Sequence, residues 1–285
     1  MRFYSLKYLK SDNVGDEIQS LAAEQFLPRL DGFVDRDTEL HKVSEPTFVF
    51  LNGWFKHGPT HWKDDAAECW PPSNQLRPAF FGFHIAFPDA LLTKESVEYY
   101  RQCGPIGCRD RETMLMLRDV GVEAYFSRCL TLTFLRREQS PEQGNVYLVE
   151  GMRSVLKERV PKKLLQIAES RSHYVHLKHM RNNELKREIA QKLVDEYRAR
   201  ASLVITDLLH CAMPCLAMGI PVVFIPNPRT LEEDSYRLDP VRDLIPVYGP
   251  RDRIDWDPGA PDISVLQSEI RSQATALATN CSHSS

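Results

Sequence analysis

The stretch ASLVITDLLHCAMPCLAMGIPVVFIP, residues 201–226, restricts what this chain can fold into more than any other. Ser202–Ile205 is a short apolar run rich in β-branched residues, as in a buried strand. Thr206 and Asp207 break the run with side chains suited to cap a helix. Leu208, Leu209, Ala212, Leu216 and Ala217 then recur at helical spacing, Gly219 stops the helix, and Pro221–Ile225 supplies a second apolar strand. This is a βαβ unit. Two near-continuous hydrophobic strands call for a parallel sheet covered on both faces, and such sheets bind ligands beyond the carboxyl ends of their strands. His210 and Asp207 fall at that end. In the first turn of a helix, free backbone N–H groups and the dipole favour an anion, and an imidazole can donate to a phosphate or exchange a proton. Taken alone, a histidine there is equally a plain helix start; the rest of the chain gives it weight.

Residues 2–9 alternate as a first strand, SDNVGDE makes a polar turn, and Asp16–Leu27 has the periodicity of a helix with one buried face. Asn13, Gly15 and Asp16 therefore stand at a strand-to-helix junction, either as a cap or as a substrate-facing loop. Phe48–Leu51 reads as a buried strand running into NGWFKHGPTHW, where Asn52 and Trp54 open a polar, aromatic binding surface. Trp54, Trp62 and Trp70 offer aromatic faces for a sugar, or fillers for an interface. His57 and His61 have metal-ligand spacing, but Gly58-Pro59 between them breaks a regular helix and argues against zinc. AFFGFHI, residues 79–85, is a strand that places His84 at its carboxyl end, and PIGCRD does the same for Arg109 and Asp110 ahead of a helix ending near Gly121. Val122–Phe126 and Leu130–Phe134 read as further strands, with Arg128 between them.

RREQSPEQGN, residues 136–145, is polar and aperiodic, which predicts a linker. The expected organisation is an N-terminal Rossmann-like lobe over 1–137 on the acceptor side and a C-terminal one over 146–257 on the donor side. A helix over 258–278 should pack back across the lobes, leaving a disordered tail over 279–285. In the second lobe, strands over 146–150 and 172–177 and helices over 161–168 and 182–200 precede the central βαβ unit. His173, His176 and His179 repeat every three residues, but a strand would not put them on one face. Residues 227–250 form a long loop with a helical piece near Val241–Leu244, and loops of this length usually carry function or disorder.

Composition removes several classes. With 36 Lys plus Arg against 39 Asp plus Glu, the net charge of −3 argues against nucleic acid or a membrane surface held by bulk electrostatics. Seven scattered cysteines without paired CxxC spacing indicate neither a disulfide framework nor a zinc ribbon, and fit reduced thiols in a cytoplasm. The N-terminus has no apolar core like that of a secretory signal, and the longest apolar tract, 211–226, is interrupted by Pro214, Gly219 and Pro221 before it could cross a bilayer.

NVGDEIQSLAAEQFLP, FLNGWF, FFGFHI, PIGCRDRETMLMLRDVGVEAYFSRCLTLTF and LVITDLLHCAMPCLAMGIPVVFI, in this order over roughly residues 3–245, resemble the polysaccharide pyruvyl transferase family. The resemblance implies two Rossmann-like lobes in a GT-B-like arrangement with the active site in the cleft. It also implies transfer of pyruvate from phosphoenolpyruvate onto two hydroxyls of a carbohydrate acceptor, lipid- or nucleotide-linked, as a cyclic ketal. In such enzymes arginine and the histidine matched by His210 hold the donor. On this basis His210 and Asp16 are expected to be catalytic. Arg109, Arg128, Asn13, Gly15, Asn52, Trp54, His84 and Asp207 are expected to bind substrate. The scheme needs no metal and no cofactor.

The chain departs from the family where Ser-Arg-Leu-His is usual, reading Asp207-Leu208-Leu209-His210, and reads Ser127-Arg128-Cys129 where Ser-Gly-Cys is common. Arg128 is therefore expected to replace the missing arginine by projecting toward His210. Two competing readings are a GT-B-type glycosyltransferase, against which stands the lack of a glycine-rich phosphate loop in the second half, and a non-catalytic carbohydrate-binding member, which Leu208 would favour.

Overall fold

A computed structural model describes residues 1–55, 69–151 and 154–282. Ten strands follow in chain order: β1 Arg2–Lys7, β2 Gly32–Asp35, β3 Thr47–Phe55, β4 Leu76–Ile85, β5 Ile106–Cys108, β6 Ala124–Phe126, β7 Asn145–Val149, β8 Glu169–Arg171, β9 Ala201–Thr206 and β10 Val222–Phe224. They form two sheets, one ordered β2-β1-β3-β4-β5-β6 and one ordered β10-β9-β7-β8, and every strand pairing within them is parallel.

The parallel arrangement follows from the strand sequences. Phe48, Val49 and Leu51 of β3, and Val204 and Ile205 of β9, have no measurable exposure, so both faces of these strands are covered. Burying a side chain of this size is worth about 1.5–3 kcal/mol relative to leaving it exposed. One apolar cluster runs between the sheets. It joins Phe48 and Phe50 to Ile18 of the Gly15–Glu24 helix, to Leu130 and Leu132, and to Cys211, Leu216 and Val204 from the second half. Further clusters cover the outer face of each sheet. The two halves therefore share a core as well as having cores of their own.

Strand order reverses at β1/β3 in the larger sheet and at β7/β9 in the smaller one. At such switch points the connections leave to opposite sides and open a crevice beyond the carboxyl ends. Tyr8–Asp16 follow β1, and Asp207–His210 follow β9. The central βαβ unit forms as expected, but its helix is Leu209–Ala217, two residues later than the caps implied. Thr206 Oγ1 instead accepts from Leu208 N–H at 3.0 Å and donates to Val149 O at 2.8 Å.

Three expectations from periodicity fail. Residues 130–134 are no strand: Leu130–Thr133 form one 3₁₀ turn, all four buried. It packs against the Gly15–Glu24 and Leu209–Ala217 helices, where an apolar run was satisfied by burial between helices and not by a sheet. The strand expected over 172–177 is β8, Glu169–Arg171, and the chain then turns so that Val175 N–H donates to Asp12 O and Val14 N–H to His173 O. The long loop is largely helical, with Pro228–Glu232, Ser235–Leu238 and Asp239–Arg242. Residues 135–144 carry no helix or strand. The last helix runs Ser264–Ser282, through the residues 279–282 expected to be a loose tail. Its Gln267 Nε2 donates to Phe134 O at 2.6 Å and to Ala217 O at 3.3 Å.

Candidate functional site

The Gly15–Glu24 helix and the Leu209–Ala217 helix bring their first turns together. A Cβ on Gly15 would lie 3.0 Å from His210 Cβ and 3.1 Å from its Nδ1. Only a glycine lets the imidazole approach that backbone so closely. Asn13 fixes the turn: its Oδ1 accepts from Gly15 N–H at 2.9 Å, and its backbone bridges to Tyr174 across the interface. His210 is half-buried, yet its Nε2 is shut off from solvent with no hydrogen-bond partner among the described residues. Burial, followed by the charges of Arg109 and Arg237, holds its pKa well below 6.5, so the free protein carries a neutral imidazole.

Arg109 follows β5 and is 2% exposed, and its Nε is another buried nitrogen without a partner. Burial lowers its pKa, an effect that the charge of the neighbouring Asp110 offsets only in part, while the hydrogen bonds of that carboxylate go to other groups. Asp110 Oδ2 lies 2.7 Å from His84 Nδ1, and its Oδ1 accepts from Thr113 N–H at 2.8 Å, capping the Arg111–Asp119 helix. Burial keeps the His84 pKa below its ordinary value in spite of this carboxylate. A neutral ring facing Asp110 through Nδ1 carries its proton there, which leaves Nε2 as a bare lone pair; that atom is buried and unpartnered. The ring stacks on Tyr236 at 5.7 Å.

Tyr236 and Arg237 belong to the Ser235–Leu238 turn after β10, and no motif marked them in the sequence. Arg237 reaches over the Trp54 ring, its Cζ 5.6 Å from the ring centre, and its Nε is buried and unpartnered. The only sequence signal was the length of the loop. Trp54, half-exposed at the end of β3 and in register with His84, thus lies beside the basic group. Trp70 belongs instead to an aromatic core with Phe55, Phe83 and Tyr100. Trp62, His57 and His61 lie outside the described residues.

Other expected site residues are placed differently. Asp16 is 7% exposed and already accepts from Ser11 Oγ at 2.6 Å and Gln19 Nε2 at 3.1 Å, with Arg36 at 4.0 Å. Asn52 is 1% exposed and donates to Gln19 O at 3.1 Å; its Oδ1 faces Cys129 and would be struck by any side chain at Gly82. Both hold the first helix against the sheet. Asp207 accepts from Gly151 N–H at 2.7 Å, tying the loop after β7 to that after β9 at the switch point. Burial raises its pKa. Arg128 does not point to His210: its guanidinium binds Asp243 at 2.5 and 3.1 Å and Pro240 O at 2.9 Å. Arg128 is therefore not the expected compensating cation; the charges that act on His210 come from Arg109 and Arg237.

The family profile of polysaccharide pyruvyl transferase matches residues 13–229, most of the chain, a range that includes His84, Arg109, Asp110 and His210 but not Tyr236, Arg237 or the Pro240–Asp243 contacts. The chain belongs to the polysaccharide pyruvyl transferase family. Membership makes it a pyruvyltransferase by class, with a polysaccharide as acceptor. No curated protein matches it. Among solved structures it is similar to a functionally uncharacterized protein from Klebsiella pneumoniae subsp. pneumoniae NTUH-K2044, at 14% identity and a TM-score of 0.51, over 83% of this chain and 87% of that one. At that identity the likeness concerns the fold alone. In this pyruvyl transferase His210, Arg109 and the Asp110–His84 pair lie beyond or at the carboxyl ends of strands in the two parallel sheets. No helix among the described residues is long and apolar enough to cross a membrane.

Proposed function

We propose that this pyruvyl transferase moves pyruvate from phosphoenolpyruvate onto two hydroxyls of a sugar, forming a cyclic ketal during polysaccharide synthesis. Two Rossmann-like halves, 1–137 and 146–257, meet in a GT-B-like manner around the donor. The observation that carries this reading is a set of buried nitrogens without a hydrogen-bond partner: the donors Arg109 Nε and Arg237 Nε, with His210 Nε2 and the acceptor His84 Nε2 beside them. Unmet donors and unbalanced positive charge in one place call for a small polyanion, and phosphoenolpyruvate offers a carboxylate and a phosphate. The six free cysteines among the described residues support a cytoplasmic setting.

In the reaction carbon 3 of the enol phosphate gains a proton, carbon 2 forms bonds to two hydroxyl oxygens, and the carbon 2–oxygen bond to phosphate breaks. The two hydroxyls release two protons; one balances carbon 3 and the other leaves with phosphate. His210 starts neutral. A bound polyanion offsets the guanidinium charges, raises the imidazole pKa and lets it carry the proton delivered to carbon 3. His84, with Nδ1–H held by Asp110, presents the lone pair that accepts a hydroxyl proton.

The test is incubation with phosphoenolpyruvate and an acceptor glycan, following phosphate release and a ketal methyl resonance. Phosphate release that tracks ketal formation is the expected result. Binding of a nucleotide sugar in preference to phosphoenolpyruvate would overturn the reading.

A further inference from the structure

Arg237 has only a loose, partly exposed ion pair among the described residues. The nearest described carboxylate is Asp234, on the same segment, at 3.7 Å and without a hydrogen bond. Asp234 Oδ1 instead accepts from Tyr236 Oη at 3.3 Å. The guanidinium is held over the Trp54 face, an arrangement that orients a cation without neutralising it.

The segment that carries Arg237 is fastened to the other half of the molecule on both sides. Tyr236 stacks on His84, Arg111 N–H donates to Asp239 Oδ2 at 2.8 Å, and Arg128 grips Pro240 O and Asp243. A side chain delivered by residues 235–238 thus comes close enough for its charge to act, with that of Arg109 from β5, on both His84 and His210, and the Nε of Arg109 is also without a partner. Two guanidiniums from opposite halves, each with a buried Nε that has no acceptor, beside two neutral imidazoles, make a clamp for one multivalent anion.

We propose that Arg237 is a donor-binding and specificity-determining residue: with Arg109 it clamps the anionic donor between the two halves, selecting a doubly anionic ligand over a simple carboxylate. This rests on the reading above that the donor is phosphoenolpyruvate. The clamp itself does not, because inorganic phosphate probes it independently. Arg237 is partly exposed, so its replacement should leave the fold intact.

The test is calorimetric titration of the wild type, Arg237→Gln and Arg237→Lys with phosphoenolpyruvate, inorganic phosphate and pyruvate, with the ligand-free melting temperature of each. Arg237→Gln is expected to weaken phosphoenolpyruvate and phosphate at least tenfold, with a smaller effect on pyruvate and an unchanged ligand-free melting temperature. Arg237→Lys, which keeps the charge but not the planar fork, should fall between and serves if the glutamine variant is less stable. Unchanged affinity for both phosphate-bearing ligands in Arg237→Gln would overturn the clamp alone. A wild type that binds phosphate through Arg237 but ignores phosphoenolpyruvate would uphold the clamp and overturn the donor. A wild type that binds neither would overturn both.

Discussion

Gly15 and His210, far apart in sequence, are in contact: a methyl group on the glycine would sit 3.0 Å from the histidine Cβ. The same methyl would meet Asn13 Oδ1 at 2.9 Å. Alanine in a helix is favoured over glycine by about 1 kcal/mol, but forcing atoms into filled space costs about 1–3 kcal/mol. Gly15→Ala should therefore give none of the gain that helix propensity promises and destabilise the protein by up to about 2 kcal/mol in denaturant unfolding. It should also lower turnover at least tenfold, because it displaces the imidazole.

His210 is predicted to matter for turnover and hardly at all for stability. Its folded pKa is depressed, so the fold prefers the neutral ring. The associated stability is complete above the unfolded value of about 6.5 and is lost as pH falls below it. His210→Ala should abolish activity, keep or raise stability near pH 7, and flatten the acid side of the stability curve. An NMR titration of the wild-type ring should show its pKa rising on addition of phosphoenolpyruvate.

Glu17 and Lys186 form a fully buried ion pair at 2.7 Å between the first helix and the Asn183–Arg200 helix. The ammonium also donates to Tyr8 O and Ser11 O. Burial raises the Glu17 pKa from 4.5 to about 7. The folded state thus holds this proton more tightly than the unfolded one, and stability should decline as pH rises from 4.5 to about 7. Thermal melts across that window should show the decline, and Glu17→Gln should remove it. Lys186→Ala, which leaves a buried carboxyl without its partner, should cost about 3–5 kcal/mol in denaturant unfolding near pH 7.

Arg128 has φ +62°, the only positive φ on a non-glycine residue among those described. That region costs an L-residue about 1–2 kcal/mol, which gives a physical reason for the glycine usual there in the family. Arg128→Gly relieves the strain and loses an ion pair to the half-exposed Asp243, worth under about 1 kcal/mol. Net stability should change by no more than about 1 kcal/mol in denaturant unfolding, and phosphoenolpyruvate affinity in a parallel titration should fall by only about threefold, because one of the contacts that fasten the Arg237 segment is lost while Tyr236 on His84 and Arg111 N–H on Asp239 still hold it.

What the sequence determined by itself was local and periodic. The apolar runs at 202–205 and 222–225 specified buried parallel strands, the glycines at 121 and 219 marked helix ends, where the structure has positive φ, and the strand-end positions of His84, Arg109 and His210 put them at the carboxyl ends of their sheets. Each of these follows from backbone geometry within a few residues. The tertiary structure decided which strand-end groups face a shared space and which are used up. Asp16 and Asn52 stood at equally good positions but spend their polar atoms on the first helix, and Arg128 spends its charge on Asp243. Arg237 carried no periodic or motif signal; it enters the site because residues 111, 128 and 84 fasten its segment across the crevice. The partners that commit Asn52 and Arg128 lie 33 and 115 residues away and leave no mark in local sequence, and the hydrogen-bond partners of Asp16, within 5 residues of it, reach it only through the folded turn; such partners separate a committed side chain from one left free for a ligand.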